Sequence, residues 1–471
     1  MKDKSIDDGT IYATPVKSFF VEMFTRDIEL VDAILDLLDN CVDGILRQKS
    51  GEGIQPYKGY FAEISFSEKS FEILDNCGGI PKEASRYAFR MGRIDKKQDE
   101  GIHTVGTYGI GMKRALFKIG AHSIITTKTN NDAYKIEILP EWLRDEENWA
   151  LKREPVNANI LESTGTRIYI TKLKNEIALR FGKGKEKFAT DLSDTVKTHY
   201  SIILQKGFTV IVNGVKIKPD IMELLCAEPE NVKSKKELLR PYIYRGEMNG
   251  VEIFLAVGFT GPPPSREDLD SDQEKIKYKS ERAGWTIICN DRIVVSYDKT
   301  RLTGWGDAGV PNYHTQFIAV AGFVEFKSKN ARNLPITTTK RGVDASSDVY
   351  LAVKNRMQEG MKQFTQFTNQ WKGKEKEAKE IFISAQKISP AEIKDFSNRI
   401  KMTDVRRDPQ GQQLKPILPM PQEKKEKKKI SFVRPTREIR MVAKYLFDDP
   451  DQKPSVIGEK CFEIVLEDAK I

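Results

Sequence analysis

Apolar residues recur along the chain with periods that predict a mixture of helices and strands. In residues 14–48, Val31, Ile34, Leu35, Leu38, Val42 and Ile45 fall at three- and four-residue steps. That spacing predicts one amphipathic helix, closed by Gly51 and Gly53. Residues 61–66 and 71–74 read as strands, and the second runs into the turn signal Asp75-Asn76-Cys77-Gly78-Gly79. Residues 84–105 are polar and poorly periodic, and Gly106-Thr107-Tyr108-Gly109-Ile110-Gly111 then opens a helical run to Ile119. Residues 123–127, 134–139 and 166–171 read as strands and 191–205 as helix. Asn213-Gly214 between 207–212 and 215–217 predicts a hairpin with a type I′ turn. Further strands are expected at 251–257, 284–289, 292–297 and 318–326, and one long helix from Asp348 to about Lys372. Pro409, Pro416, Pro419 and Pro421 mark 401–429 as a linker; a short helix at 437–446 and a terminal strand at 461–466 follow. No internal repeat is present.

Composition narrows the class. A chain of 471 residues suits two or three domains, and 39% hydrophobic against 31% charged residues leaves room for large cores under a solvated surface. No run of about 18 apolar residues occurs, and the N-terminus lacks a signal-peptide pattern, so a soluble cytoplasmic protein without a membrane partner is expected. The 5 cysteines are scattered without a CxxC pair and the 4 histidines share no ligand spacing, so neither a zinc site nor a disulfide framework is expected. The net charge of +9 is concentrated: residues 421–445 hold nine basic residues, from Lys424 to Lys444, against three acids. Such a segment suits an anionic partner, nucleic acid first, although lysine runs are equally often solvated linkers.

Candidate chemistry begins on the first helix. Asp36, Asn40 and Asp43 lie at i, i+4 and i+7, on one face beside an apolar stripe. Asn40 can offer a neutral oxygen to Mg²⁺, and Asp36 can polarise a water. Asp75 ends an apolar strand before two glycines; its carboxylate can accept from an exocyclic amine while Gly79 lets a flat ring approach the backbone. The glycines of 106–111 precede a helix start, presenting backbone N–H groups to an anion, with Lys113 one turn in. Each feature alone has an ordinary reading: a solvated acidic face, a plain turn, a flexible loop.

Their order is more specific. A helix with D-x-x-x-N-x-x-D, strand-DNxGG, a loop ending GxxGxG-x-K and the strand GTRIYI together resemble the GHKL ATPases over about residues 20–175. The resemblance implies an α+β chain: a GHKL (Bergerat) α/β sandwich over 1–215, a ribosomal-protein-like α/β transducer domain over 216–346, a helical segment over 347–400, and a basic linker with a small C-terminal element over 401–471. It implies ATP and Mg²⁺ as cofactors, with Asn40 ligating the metal and Asp75 and Gly79 holding the adenine. Met91, Gly106, Thr107, Tyr108, Gly109, Ile110, Gly111, Met112 and Lys113 would form the lid, and Thr166 would hold a water beside the adenine.

Two positions depart from that pattern. The family's general base is usually a Glu four residues before the Mg²⁺-binding Asn; here it is Asp36, one methylene shorter, and Glu29 lies too far upstream to substitute. The first glycine after the adenine-binding Asp is Cys77 here. The segment Asn333-Leu-Pro-Ile-Thr-Thr-Thr-Lys340-Arg341 resembles a transducer loop that sends Lys340, or failing that Arg341, to the γ-phosphate. Met91-Gly92-Arg93, VGTYGIGMKRALFKIG and GWTIICNDRIVVSY look most like the microrchidia (MORC) ATPases, with MutL-type proteins as neighbours. The implied function is ATP hydrolysis, at a rate that the shorter Asp36 leaves open, driving N-terminal homodimerisation of a clamp on DNA or a DNA-bound protein through 424–444. The alternatives are a chaperone-like ATPase acting on a protein client and a regulatory ATP-binding module with little turnover.

Overall fold

A computed structural model describes residues 16–49, 55–90, 109–227, 239–264, 282–406, 408–421 and 430–470, with positions 53, 92, 101–104 and 106 between them. They form two units, residues 1–421 and residues 422–471.

In the first unit the chain opens with helices α1 (Lys17–Arg26) and α2 (Leu30–Lys49). The single helix expected over 14–48 is therefore broken. The break falls at Asp27–Glu29, and Ile28 within it, 4% exposed, shares the core of Ile34, Leu38 and Val42.

Strands β1 (Phe61–Ser67) and β2 (Ser70–Asp75) precede α3 (Lys82–Phe89), which was not anticipated. None of its residues is buried, and its apolar face, Ala84, Tyr87 and Ala88, spans only two turns, too few for a helical period to stand out in the sequence. Then come α4 (Gly111–Ile119), β3 (Gly120–Lys128), β4 (Ala133–Ile138), α5 (Pro140–Arg144), β5 (Arg153–Pro155), β6 (Gly165–Leu173), α6 (Asn175–Phe181), α7 (Lys185–His199), α8 (Ser201–Gln205), β7 (Thr209–Val212) and β8 (Val215–Lys216). Asn213 and Gly214 carry φ of 45° and 80°, as the type I′ reading of that hairpin requires.

The eight strands form one sheet in the order β5-β4-β3-β6-β2-β1-β7-β8. Alternate residues of β1 are buried, so one face is covered. The cover comes from α2, α4, α6 and α7, whose Leu38, Leu116, Phe181 and Val196 join Ile64, Ile73, Ile125 and Ile170 in one core.

A second sheet follows β9 (Leu224–Cys226). It comprises β10 (Tyr242–Met248), β11 (Val251–Phe259), β12 (Gly284–Cys289), β13 (Arg292–Asp298) and β14 (Val320–Lys327). Helices α9 (Asp348–Gln370) and α10 (Glu375–Ile381), strand β15 (Gln386–Ile388), helix α11 (Pro390–Arg399) and strands β16 (Thr403–Val405) and β17 (Asp408–Leu414) complete the unit. The order is β13-β12-β14-β11-β10-β17-β16. All of β12 is buried because the sheet is covered twice. Met357, Met361 and Phe364 of α9 share a core with Leu255, Val257 and Phe259, whereas Ile393 and Phe396 of α11 share another with Phe254, Ala256 and Phe323.

The linker expected over 401–429 is corrected by β16 and β17. Residues 412–414 pair with Arg245, Tyr244 and Ile243 at the sheet's margin. The run Asp-Pro-Gln-Gly-Gln-Gln-Leu has no apolar alternation because it docks through its backbone and through Arg245, which donates to Gln412 Oε1 at 2.8 Å. The Lys424–Lys429 run lies outside the described residues.

The second unit holds α12 (Thr436–Phe447), as expected, and α13 (Pro454–Asp468). The terminal strand expected at 461–466 is thus helix. Short apolar runs are ambiguous between the two, and here the run sits inside a 15-residue segment opened by Pro454 near its first position. Among the described residues no helix is long and apolar enough to cross a membrane.

Candidate functional site

The sequence motifs converge where α2 meets the first sheet and the start of α4. At one end, Asp75 closes β2. Its Oδ1 accepts from the backbone N–H of Cys77 at 2.8 Å and of Thr166 at 3.2 Å. Burial pushes this carboxyl up to about 6, against the downward pull of those donors and of the Cys41 thiol. Gly79 has φ of 72°, and a Cβ there would collide with the Lys128 carbonyl, so this position needs glycine. Thr127 Oγ1 accepts from Ile80 N at 2.7 Å and lies 3.3 Å from Thr166 Oγ1. Asp75, Gly79 and Thr166 are therefore brought together where β2 ends, and Thr127 joins them.

The other end is acidic. Asp32, Asp36, Asp39 and Asp43 follow one another at steps of four, three and four, which is one helical face. Asp36, Asp39 and Asp43 are buried, and each acid of the stripe has a partner. Asp32 pairs with Arg341. Lys340 Nζ donates to Asp36 Oδ1 at 3.1 Å and to Asp39 Oδ2 at 2.7 Å. Asp43 Oδ2 accepts from Gly106 N at 2.9 Å, tying the start of the glycine-rich loop to α2.

Asp39 is the hub. Besides Lys340 it accepts from Arg292 Nε at 3.1 Å and Tyr200 Oη at 2.5 Å, and the Arg292 guanidinium lies 4.2 Å over the Tyr200 ring. Burial pushes Asp39 up, but Lys340 and Arg292 together hold it below its ordinary range. Burial likewise depresses Lys340, and Asp39 and Asp36 more than restore it, so both groups are charged.

Both cations arrive from the second sheet. Arg292 follows Asn290-Asp291, whose φ values of 46° and 67° make the β12–β13 turn. Asp291 is anchored by Tyr57 Oη at 3.0 Å and Lys206 Nζ at 2.6 Å. Lys340, with φ of 56°, sits in a loop pinned by the Ile336–Val343 bridge and by Thr337 N to Gly342 O at 3.1 Å.

The remaining expected positions fall as follows. Asn40 is exposed on α2 beside the acidic stripe. Gly109, Ile110 and Gly111 lead into α4, and a Cβ on Gly111 would stand 3.0 Å from Asp36 Cγ. Met112 and Lys113 are buried; Lys113 Nζ donates to the carbonyls of Ala88, at 2.8 Å, and Gly109. Met91, Thr107 and Tyr108 lie outside the described residues. Glu29 is exposed at the α1–α2 break. Asp39, Tyr200, Arg292 and Thr127 were missed. The heptad-like spacing of the four aspartates was a visible signal for Asp39, whereas nothing local marks Tyr200 or Arg292 as its partners.

Residues 28–167, which hold the four aspartates of α2, Asp75, Gly79, Thr127, the entry to α4 and Thr166, match the family described as histidine kinase-, DNA gyrase B-, and HSP90-like ATPase. The chain carries a GHKL ATPase domain. No curated protein matches the chain significantly. ATP binding and hydrolysis is the general chemistry of that domain family. The donor set fits the magnesium that accompanies ATP: Asn40 offers a neutral hard oxygen, exposed, next to the carboxylates of the stripe. Within the GHKL domain, then, the DNxGG strand end forms a pocket of close backbone approaches, and α2 forms an acidic wall.

Proposed function

We propose that this chain binds and slowly hydrolyses Mg-ATP, and that the ATP-bound form pairs through its N-terminal domain as a clamp on DNA or a DNA-bound partner. The observation that carries the reading is Lys340, delivered from the second sheet onto Asp36 and Asp39. In this reading 216–346 acts as a transducer and the nearest branch is the MORC or MutL type.

Asp75 accepts the adenine's exocyclic amine, Gly79 admits the ring and Thr166 holds a water beside it. The N–H groups of Gly109, Ile110 and Gly111 face the phosphates across the N-terminus of α4. Bound magnesium, held by Asn40, would supply charge neutralisation across the phosphate oxygens. Asp36 orients the attacking water and accepts its proton. Lys340 exchanges its carboxylate partners for the γ-phosphate and stabilises charge developing there. Because Lys340 leaves Asp39 when it does so, nucleotide occupancy is felt by Arg292 and hence by the second sheet.

Phosphate release by the wild type, Asp36→Ala and Asn40→Ala, with and without DNA, tests the core of this. Equal rates in all three remove Asp36 and Asn40 from the mechanism. An ATP-bound chain that stays monomeric in sedimentation removes the clamp. DNA affinity that neither falls with salt nor depends on Lys424–Lys429 removes nucleic acid as the partner. A second reading, a nucleotide-binding regulator with little turnover, is favoured by the short side chain of Asp36; ATP binding without phosphate release selects it.

A further inference from the structure

Cys41 on α2 and Cys77 after β2 are separated by 36 positions, yet both are buried, 4% and 2% exposed, under the Asp75 end of the pocket. Cys41 Sγ lies 3.5 Å from Asp75 Oδ2. The two sulfurs and a carboxylate oxygen of Asp75 all fall within 4.8 Å of one another. Asp75 Oδ1 is engaged by two backbone N–H groups, which fixes the carboxylate and turns Oδ2 toward the thiol. In a tetrahedral site with Zn–S of about 2.3 Å and Zn–O of about 2.0 Å, the sulfur–oxygen edge is about 3.5 Å and the sulfur–sulfur edge about 3.8 Å. The Cys41–Asp75 edge already has the length one ion needs, and the two edges to Cys77 lie within 4.8 Å, so small side-chain rotations close the site. Magnesium does not suit two sulfurs; a soft or borderline divalent cation does.

We propose that Cys41, Cys77 and Asp75 form a binding site for a zinc-class divalent cation, and that its occupancy blocks nucleotide binding. On binding, both thiols lose their protons to solvent and two metal–sulfur bonds and one metal–oxygen bond form, with no change of oxidation state. Asp75 Oδ2 then ligates metal and no longer accepts from an adenine amine. The blockade rests on the reading of Asp75 as the adenine acceptor; the metal site itself does not.

Cadmium, whose thiolate complexes absorb in the ultraviolet, is titrated into the full chain held in a non-thiol reductant. The wild type is expected to take up one equivalent with thiolate absorbance, and Cys226→Ser to behave identically. Cys41→Ser and Cys77→Ala, checked by circular dichroism for folding, are expected to lose that equivalent. Uptake unchanged in both folded variants overturns the site. If both variants unfold, the wild type decides: an equivalent bound without thiolate absorbance also overturns it. A fluorescent ATP analogue, in excess Mg²⁺, is then expected to bind the cadmium-loaded wild type at least tenfold more weakly and Cys77→Ala equally with or without cadmium. Equal affinity in the loaded and unloaded wild type overturns the blockade. Failure of the analogue to bind even the metal-free wild type overturns the nucleotide reading while the cadmium titration still tests the site.

Discussion

The two ends of the candidate pocket are built in opposite ways. The Asp75 end is local to the first sheet: a strand end, two glycines and the neighbouring strands β3 and β6, joined by backbone hydrogen bonds and by positions where a Cβ does not fit. The Asp36–Asp39 end is an acidic helix face neutralised by Lys340, from the loop between β14 and α9, and Arg292, from β13, about 300 and 250 positions away. A pocket for a flat, weakly polar ring is made by excluding side chains. A pocket for a polyanion is made by importing charge, and imported charge couples the pocket to whatever carries it. Damage to the first end should therefore cost affinity, and damage to the second should cost stability and turnover.

The largest expected effect is at Arg292. Arg292→Ala leaves Asp39 buried with one cation fewer and should destabilise the chain by about 3–5 kcal/mol in urea unfolding. An unchanged urea midpoint would break the comparison at its strongest point. Next, Lys340→Ala should lower phosphate release about 100-fold, corresponding to about 2.7 kcal/mol, with a much smaller change in ATP affinity. A loss of affinity with turnover intact would make Lys340 a tether rather than a stabiliser of the developing charge.

At the other end, Asp75→Asn keeps the shape and removes the charge. It should weaken binding by about 1.5–3 kcal/mol, or roughly 10–100-fold, with little change in the rate at saturation. The pH dependence sharpens this. Because burial holds Asp75 at about 6, lowering the pH through 6 protonates it and removes the ionised acceptor, so ATP affinity should fall toward acid, by up to about tenfold per pH unit. Above that pH it should be flat, and Asp75→Asn should abolish the dependence; a titration identical in wild type and Asp75→Asn would assign it elsewhere. The smallest effect is Asp36→Glu, which lengthens the suspected base and should raise phosphate release a few-fold. The nearby Gly111, 3.0 Å from Asp36 Cγ in terms of an added Cβ, limits the room for the extra methylene.

Much of this was legible without coordinates, and the reason is locality. The DNxGG turn, the glycine-rich entry to α4 and the GTRIYI strand each hold their chemistry within a few residues, so motif order alone suggested a nucleotide pocket. The alternation of β1 and the Asn213-Gly214 hairpin were readable for the same reason. What failed was whatever depends on a partner. Strand β17 has no apolar signature because its order comes from pairing with β10 on one side and β16 on the other. The helix break at 27–29 carries no local signal, since Ile28 keeps the same apolar period as Val31 and Leu35.

The sequence by itself determined the family of the first domain, the residues that meet at the Asp75 end and the presence of a charged helix face, because each is written in neighbouring positions. Only the tertiary structure decided that Asp39 is the hub of that face, that Arg292 and Lys340 reach it, and that Cys41 and Cys77, scattered in sequence, meet beside Asp75. Buried charges and soft ligands are placed by chain folding across long separations, and no local spacing encodes which of them will be brought within a few ångströms.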